Sequence, residues 1–502
     1  MRSRFFLVLL GLALLLCQEI GAASLRSKQA DLAIPPRPEQ LRYPPLNFEV
    51  PERAKFRYEL PGGVVAYVVP DRSLPLVKIQ AVFRTGAYRE QPGEEGIARL
   101  LARLMRNGGA GSLDPKAFDE EVDFLAARMN VTDSDTSVLA SLDTLSSVLP
   151  QAVDLFVAML REPRFDEERL SQEKRILLEE LRQRGDDAEE VLEREWRRLI
   201  YGEDSFITRE LRAQDLERID RKQLLSFYRR TFGRSGTVLA ISGDVEPKEI
   251  LGLLQQKLEG FDAEESPPWP PEAPQHRPQP GIYVVDKDIP QGKVLLGHLG
   301  VQWRDFSDPE NYALMVMNEI LGGSGFTSRL MRRIRSDEGL AYDVGSLLSI
   351  HPFWKGVFFV RFSSKSRTVA RATQLALEEI NRIRREPPTT EEVELVKRSI
   401  IDAFPRRFDS PAQVARLFAE DERVGRPFDF WNRYRERIKA VTPESVQRVA
   451  QKYLDPGQLV ILWVGKFADL ASGDGKVNLE AVRGERPLFP LPVRDPLTLR
   501  PK

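Results

Sequence analysis

One sequence pattern occurs twice along the chain, and this duplication is the strongest constraint on its fold. Residues 174–191 align without gaps on residues 397–414. Each half also ends in a helical pattern, an aromatic residue, a turn, an apolar strand and a glycine, at 232–243 and 453–465. A chain of 502 residues is too long for one ordinary hydrophobic core. Because strands and helices occur in mixed blocks, we predict an α+β fold with two homologous domains, each a mixed sheet covered by helices.

Composition places the boundaries between these units. We predict six segments in chain order: a signal peptide at 1–23, a proline-rich lead-in at 24–47, a first domain at 48–262, a linker at 263–280, a second domain at 281–470 and a tail at 471–502. The proline density of the linker excludes helix and disfavours strand. The tail is rich in proline and charge, and we expect it to be loosely held. Within the first domain, periodicity predicts a helix over 116–129.

The N-terminus has the pattern of a secretory signal. Arg2 and Arg4 supply positive charge, and the apolar stretch that follows runs as far as Cys17. Small residues then precede a cleavage site near Ser24. We expect export to a bacterial periplasm, with an uncleaved membrane anchor as the alternative. Cleavage removes the only cysteine, so no disulfide and no cysteine chemistry would remain.

Composition also argues against several classes of partner. Lys+Arg 74 against Asp+Glu 75 leaves almost no net charge, and no basic block stands out, so nucleic acid is not expected. No stretch after the signal is long and apolar enough to cross a bilayer. The chain has 3 histidines, His276, His298 and His351, and none of them lies at helical ligand spacing from another. This is few for a metalloenzyme, and a lone strand histidine such as His298 is expected to be packed or hydrogen-bonded.

One helix of the first domain carries an altered chemical motif. The segment from Gly96 to Met105 has its apolar residues at helical spacing, and Arg99, Ala102 and Arg103 are predicted on the opposite side. The segment resembles the inverted zinc motif His-x-x-Glu-His of the pitrilysin/insulinase-type metallopeptidases, family M16. Both histidine positions are arginine here, and alanine stands at the glutamate position. Arginine is always protonated and offers no lone pair to a metal.

The resemblance also implies a third ligand, a glutamate further along the chain, and the family spacing places it at Glu180. One carboxylate alone does not hold catalytic zinc, which takes three protein ligands and a water. We therefore expect this chain to bind no cofactor and zinc to lie in a partner subunit. Two interpretations of Glu180 stay open. It belongs to a solvated helix face with neighbours such as Arg184, or it pairs with Arg99 or Arg103 in place of the metal cross-link.

A stronger signal lies at 321–342, which resembles the signature of the M16 C-terminal domain. The resemblance implies that Arg335 and Tyr342 contact the backbone of a peptide substrate near the zinc of the facing domain. Gly339 would permit the tight turn between them. Ser336 replaces the usual acidic residue, and we expect this to loosen the support of Arg335. The alternative is purely structural: a helix stop, an N-cap, a surface arginine and a core-edge tyrosine.

The resemblance covers about residues 45–470. It implies two LuxS/MPP-like metallohydrolase domains that close as a clam around a chamber. Peptides bind in this family by adding a strand to a sheet edge. The extended segment 131–138 is a candidate for that edge, and a polar loop leading into a strand is the alternative.

The leading functional hypothesis is the non-zinc subunit of an exported, heterodimeric M16B-type peptidase. Such a subunit is inactive alone, binds unfolded peptide, and completes the active site of a zinc-bearing M16 paralogue. The alternative is a catalytically inert pseudo-peptidase that serves as a binding or scaffold protein in the cell envelope. A third hypothesis, an autonomous peptidase with another metal arrangement, is disfavoured by the few histidines.

Overall fold

Two six-stranded sheets follow one another along the chain. The computed structural model describes residue 37 and residues 47–266 and 268–502, so the predicted signal peptide and nearly all of the lead-in lie outside the described residues. Residues 49–502 form one compact unit. The strands are β1 Arg57–Leu60, β2 Val64–Pro70, β3 Leu76–Phe83, β4 Arg128–Asp133, β5 Val138–Leu145, β6 Val238–Gly243, β7 Gly281–Asp286, β8 Gln291–Leu299, β9 Val301–Gln302, β10 Ala341–Leu348, β11 Ile350–His351, β12 Val357–Lys365, β13 Val460–Gly465 and β14 Leu488–Leu491.

Helices cover both sheets. The α-helices are α1 Ile97–Asn107, α2 Pro115–Phe124, α3 Leu149–Arg161, α4 Glu167–Gln183, α5 Ala188–Tyr201, α6 Ala213–Arg218, α7 Arg221–Thr231, α8 Pro247–Leu258, α9 Pro309–Asn318, α10 Val369–Arg385, α11 Thr390–Ala403, α12 Pro411–Val424, α13 Phe430–Lys439, α14 Pro443–Tyr453, α15 Phe467–Ser472 and α16 Leu479–Arg483. Among the described residues, no helix combines the length and apolar character needed to cross a bilayer.

Five strands of each sheet share one topology, and the sixth, at one edge, is antiparallel to its neighbour in the first sheet and parallel in the second. The strand order is β1-β2-β6-β3-β5-β4 in the first sheet and β14-β7-β13-β8-β12-β10 in the second. In each sheet one central pair is parallel, β2 with β6 and β7 with β13, and the strands on the far side of that pair are antiparallel. The predicted α+β fold with two mixed sheets covered by helices is confirmed. The exact domain boundaries stay a prediction.

The helix predicted over 116–129 is too long. It ends at Phe124, and Ala126 has a left-handed φ of +48°, a conformation that a helix cannot continue through. From Arg128 the burial alternates with period two, so that Met129 and Val131 face the core. This stretch is strand β4, which forms one edge of the first sheet.

Each half covers the other half's sheet with one helix. The helix α5 belongs to the first half by sequence, but Leu192, Trp196 and Ile200 pack against apolar residues of β8 and β13 in the second sheet. Complete burial of side chains of this size stabilises a fold by roughly 1.5–3 kcal/mol each. The helix α12 does the converse and packs against β2 and β6 in the first sheet. The internal repeat aligns the first turns of these two helices, 188–191 with 411–414, so the exchange is symmetric.

The prediction of a loosely held tail is wrong. Strand β14 pairs in parallel with β7 and occupies the place that β1 holds in the first sheet. The Phe489 ring stacks on Tyr283 with 4.7 Å between the ring centroids. Beyond the strand, the carbonyl oxygen of Leu497 accepts a 3.0 Å hydrogen bond from the backbone N–H of Ala213 in the first half. An unpaired edge of β7 would leave backbone groups exposed, and the tail satisfies them.

The linker has no helix or strand in its described residues, as its proline content predicts. It is nevertheless anchored through Trp269, whose ring lies edge-on to Phe353 at 4.9 Å between centroids. The Arg84 guanidinium lies over the same indole at 4.9 Å. The linker therefore follows a defined path between the halves.

Candidate functional site

The altered motif lies on α1, which packs tightly against the first sheet. Leu100, Leu101 and Leu104 are fully buried, as their helical spacing predicts. Ala102 is also buried, at 1% exposure, which corrects the prediction that it shares an open side with the arginines. The reason is that α1 contacts α4 as well as β4, so the methyl group of Ala102 is covered.

Arg103 forms the ion pair that one of the two interpretations of Glu180 predicted. Its Nη2 donates to both carboxylate oxygens of Glu180, at 2.8 and 2.9 Å. Its Nη1 lies 3.5 Å from Glu173, which also accepts a 2.9 Å hydrogen bond from the Asn107 side chain. The arginine thus joins α1 to two positions on α4 that lie about two helical turns apart. Because Glu180 is partly exposed, the pair with Arg103 contributes about 1 kcal/mol at most to stability.

A cavity of about 870 Å³ opens beside this ion pair. Arg99, Glu180 and Arg184 line it on the side of the altered motif, and Asp133 and Asp135 line it where β4 ends. The edge of the first sheet and the altered motif therefore border the same space.

The cavity is lined by charges of both signs, and arginines cluster on one side of it. Burial lowers the pKa of Arg184 to about 10. Glu210 opposes that effect, while the positive charges of Arg194, Arg198 and Arg99 add to it. Arg184 therefore lies close to other guanidinium groups, in the part of the cavity that borders α1.

Sequence reasoning missed one buried acid in this region, Glu90. Its carboxylate accepts a 3.0 Å hydrogen bond from the backbone N–H of Ala98 in the first turn of α1, and it also lines the cavity. Burial raises the pKa of Glu90 to about 7, although the hydrogen bonds from the backbone oppose this. It satisfies an otherwise unpaired N–H at the start of the helix. No local pattern marks it, because the contact joins a loop to the helix that follows.

These residues do not fit a zinc ion. Both histidine positions carry guanidinium groups, and the Glu180 carboxylate is engaged by Arg103. The further positive charges of Arg99 and Arg184 would repel a divalent cation. Within the described ranges, no group of three or more His, Cys, Asp or Glu side chains is arranged to hold a metal.

The two residues singled out in the second half lie together. The Arg335 guanidinium sits 4.5 Å from the ring centroid of Tyr342 and 4.7 Å from that of Phe326. Arg335 belongs to a wide, π-type helical turn, Met331–Asp337, and Phe326 to the glycine-rich loop before it. Sequence reasoning did not single out Phe326; an aromatic residue inside a glycine-rich loop was the available signal.

Backbone geometry explains why Tyr342 is exposed. Gly339 has a φ of +63°, which fits the tight turn predicted there. The pairing of β10 with β12 is irregular between Ala341 and Val344, so Tyr342 and Asp343 both face outward while Ala341 and Val344 are buried. Such a bulge re-aims a side chain at a sheet edge. With 82% exposure, Tyr342 is not the core-edge aromatic that the structural alternative expected.

In the described part of the chain, the residues that line the 870 Å³ cavity all belong to the first half. Arg335 and Tyr342 are not among them. The site residues therefore fall into two groups. One contains Arg99, Arg103 and Glu180, and the other contains Arg335 and Tyr342.

Models of known protein families match both halves of the chain. A family model described as "Insulinase (Peptidase family M16)" matches residues 68–205, and one described as "Peptidase M16 inactive domain" matches residues 218–400. The chain belongs to peptidase family M16. Two relatives of this M16 chain that are described as proteases or peptidases match it at low identity.

An uncharacterized zinc protease of Rickettsia bellii is 23% identical over 376 residues, which cover 74% of this chain and 85% of the relative. A probable mitochondrial-processing peptidase subunit beta of Arabidopsis thaliana is 21% identical over 430 residues, which cover 82% of this chain and 78% of the relative.

Solved M16 structures share the fold. The peptidase M16 inactive domain from Pseudomonas fluorescens has a TM-score of 0.73 and 21% identity, covering 82% of this chain and 97% of that one. The first half of the periplasmic protease PqqL from Escherichia coli has a TM-score of 0.69 and 18% identity, covering 86% of this chain and 96% of that one. At these identities the likeness establishes the architecture.

Two of the three histidines in this M16 chain, His298 and His351, are packed against neighbouring residues. His298 is buried, its Nδ1 lies 2.8 Å from the carbonyl oxygen of Leu299, and its Nε2 accepts from the backbone N–H of Asp455 at 3.4 Å. His351 stacks on Trp354 with 3.7 Å between ring centroids, and burial lowers its pKa to about 4. The expectation that His298 is packed and hydrogen-bonded is confirmed.

Proposed function

We propose that this chain is the non-zinc subunit of an exported M16B-type peptidase. It binds an unfolded peptide and completes the active site of a zinc-bearing M16 partner. The observation that carries the proposal is the contrast between the two groups of site residues. The group at the motif is closed by an ion pair, while the second group has an exposed Tyr342 beside a half-buried Arg335 and is open to a ligand.

The motif group supports the absence of catalysis by the chain alone. Arg103 occupies the second histidine position and donates hydrogen bonds to both carboxylate oxygens of Glu180. Ala102, at the position of the general base, has no proton-accepting group and is buried. The chemistry that zinc supplies, activation of a water for attack on a peptide carbonyl, would come from the partner.

The second group supports a share in substrate binding. Two aromatic rings lie against the Arg335 guanidinium, and rings do not use up its N–H donors. No ion pair to Arg335 exists among residues 47–266 and 268–502. A rigid fork of donors suits a peptide carbonyl, and the exposed Tyr342 hydroxyl adds another donor.

The edge strand β4 supports binding of an extended peptide. Its outer side has no partner strand in the first sheet, and the cavity begins where it ends. An added peptide strand would gain backbone hydrogen bonds along Arg128–Asp133. The predicted segment 131–138 overlaps only the end of this strand, since residues 134–137 form the turn into β5.

The test is reconstitution. The chain is purified alone and together with an exported M16 paralogue that carries an intact His-x-x-Glu-His motif, and cleavage of fluorescein-labelled insulin B chain is followed. We expect no cleavage by the chain alone, cleavage by the mixture, and loss of that activity with a chelator. Chelator-sensitive peptidase activity from the isolated chain would refute the division of labour.

Substitution distinguishes the proposal from an inert scaffold. Arg335→Ala and Tyr342→Phe should each lower the turnover of the complex while the two chains still co-elute. Arg332→Ala is the matched control, because Arg332 is an exposed arginine of the same turn whose side chain donates only to the carbonyl oxygen of Thr327. Full turnover in the Arg335 and Tyr342 variants would favour the scaffold alternative.

Export and cleavage of the signal at 1–23 are part of the proposal. N-terminal sequencing of the chain recovered from a periplasmic fraction should begin near Ser24. Recovery of an intact N-terminus from the membrane fraction would favour the anchored alternative.

A further inference from the structure

Phe326 joins the pair: the Arg335 guanidinium carbon lies over both the Phe326 ring and the Tyr342 ring, and we call this three-residue contact the sandwich. The centroid distances, 4.7 Å to Phe326 and 4.5 Å to Tyr342, are both within the range of cation–π attraction. Phe326 is 71% exposed and Tyr342 is 82% exposed, so neither ring is placed by core packing. We propose that Phe326 is a positioning residue that holds the Arg335 guanidinium against Tyr342, ready for a peptide carbonyl. The proposal rests on the proposed function of Arg335 as a substrate clamp.

The loop that carries Phe326 is braced from within. Gly325 has a φ of +59°, and the Ser328 hydroxyl donates a 2.7 Å hydrogen bond to its carbonyl oxygen. The Ser324 hydroxyl donates to the carbonyl oxygen of Glu319 at 2.8 Å. Hydroxyl-to-backbone bonds of this kind fix a tight turn. The backbone that carries the Phe326 ring is therefore fixed, although the ring itself is open to solvent.

The sandwich explains how Arg335 is supported without an acidic neighbour. Ser336 follows it where the family has an acidic residue, and no carboxylate pairs with Arg335 in the described part of the chain. An unsupported arginine samples many rotamers, and their loss on binding opposes association. Contact with two rings restricts that freedom before the peptide arrives. The N–H groups, which rings cannot satisfy, remain for the ligand.

The consequence is a measurable dependence of peptide binding on the Phe326 ring. An exposed cation–π contact corresponds to about a two- to fivefold effect on an equilibrium. Phe326→Leu keeps apolar bulk but removes the π face, so the dissociation constant for fluorescein-labelled insulin B chain should rise by that factor. Phe326→Tyr keeps the ring and should restore binding. Phe124→Leu is the control, another exposed phenylalanine at 82% exposure on α2, and it should change nothing.

The binding series is completed in the Arg335→Ala background. If Phe326 acts through Arg335, then Phe326→Leu has no further effect there. If Phe326 instead contacts the peptide directly, Phe326→Leu will weaken binding by its full factor in this background too. That result would overturn the positioning role. Unchanged binding by Phe326→Leu, with weakened binding by Arg335→Ala, would also overturn it but leave the clamp intact. Unchanged binding by Arg335→Ala would refute the clamp and the positioning role together.

A second measurement needs no peptide. Ring currents of two flanking aromatic rings should displace the Arg335 side-chain Nε–Hε resonance of the isolated chain from the random-coil position. Phe326→Leu should move this resonance back, whereas Phe124→Leu should not. A resonance that is indifferent to Phe326 would show that the sandwich does not exist in solution, and the proposal would fail.

Discussion

Glu422 joins the two halves, and its replacement gives the most direct test of how they are held together. It lies on α12, the helix that the second half places on the first sheet. One carboxylate oxygen accepts from Arg53 at 2.7 Å, from the Tyr67 hydroxyl at 2.6 Å and from Arg57 at 3.1 Å. The other accepts from Arg57 at 2.9 Å. Arg53 is buried, so loss of the carboxylate leaves an uncompensated charge.

The magnitude follows from the pKa of Glu422. Burial raises it, but the hydrogen bonds from Arg57 and Tyr67 and the charges of Arg57 and Arg53 outweigh burial and lower it from 4.5 to about 2. The side chain is 21% exposed, so little of this is screened by solvent. A fall of this size corresponds to about 3 kcal/mol of folding free energy. Because the folded pKa is depressed, the contribution is fully present above pH 4.5 and is lost as the pH falls through about 2.

The perturbation is Glu422→Gln, which keeps the shape and removes the charge. At pH 7 it should lower the free energy of unfolding by about 3 kcal/mol, measured by urea titration with tryptophan fluorescence. At pH 3 the difference from the wild type should be less than half as large. Hydrogen exchange in α12 should accelerate at pH 7, because this helix is held by the contact.

Glu420→Gln is the matched control on the same helix. Glu420 pairs with Arg423 at 2.7 Å through both oxygens, but the contact is local and half-exposed. It should change stability by no more than about 0.5 kcal/mol. Equal stability of the two variants at pH 7, or a Glu422→Gln effect that does not shrink by pH 3, would refute the reasoning.

Three further outcomes are expected. Arg99→His with Arg103→His should give stoichiometric zinc by mass spectrometry, with Glu180 as third ligand but no peptidase activity; failure to bind zinc would contradict the assignment of these positions. Trp196→Ala should lower the free energy of unfolding by about 3–5 kcal/mol in urea, and a loss under about 1 kcal/mol would mean that the exchanged helix is not core. Deletion of residues 488–502 should expose the edge of β7 and cause self-association in light scattering, whereas a well-behaved monomer would argue against the tail's sealing role.

Sequence patterns correctly predicted the features that depend on residues close together in the chain. The apolar stripe of α1, the turn at Gly339 and the packed role of His298 follow from residue type and spacing. The ion pair of Arg103 with Glu180 was one of two predicted interpretations, since residue type alone could not choose between a solvated carboxylate and a paired one. The roles of Arg335 and Tyr342 in substrate binding stay predictions.

What the sequence did not reveal depends on distant parts of the chain. Periodicity shows that α5 has a buried face, but not that the face packs on the second sheet. The burial of Ala102 depends on how closely α4 approaches α1. Strand β14 was missed because its partner lies some two hundred residues earlier, and proline and charge hid its short apolar pattern. Likewise, the stacking of Phe326 on Arg335 joins a loop to a separate turn.

The symmetric exchange of α5 and α12 has an implication for how such a chain arose. A single half would leave one apolar face of its sheet uncovered, because the helix that covers that face comes from the other half. A one-unit ancestor therefore needed a second copy, each lending a helix to the other as in a domain-swapped dimer. Fusion into one gene would make the helix exchange independent of protein concentration. Each copy could then specialise without losing its partner.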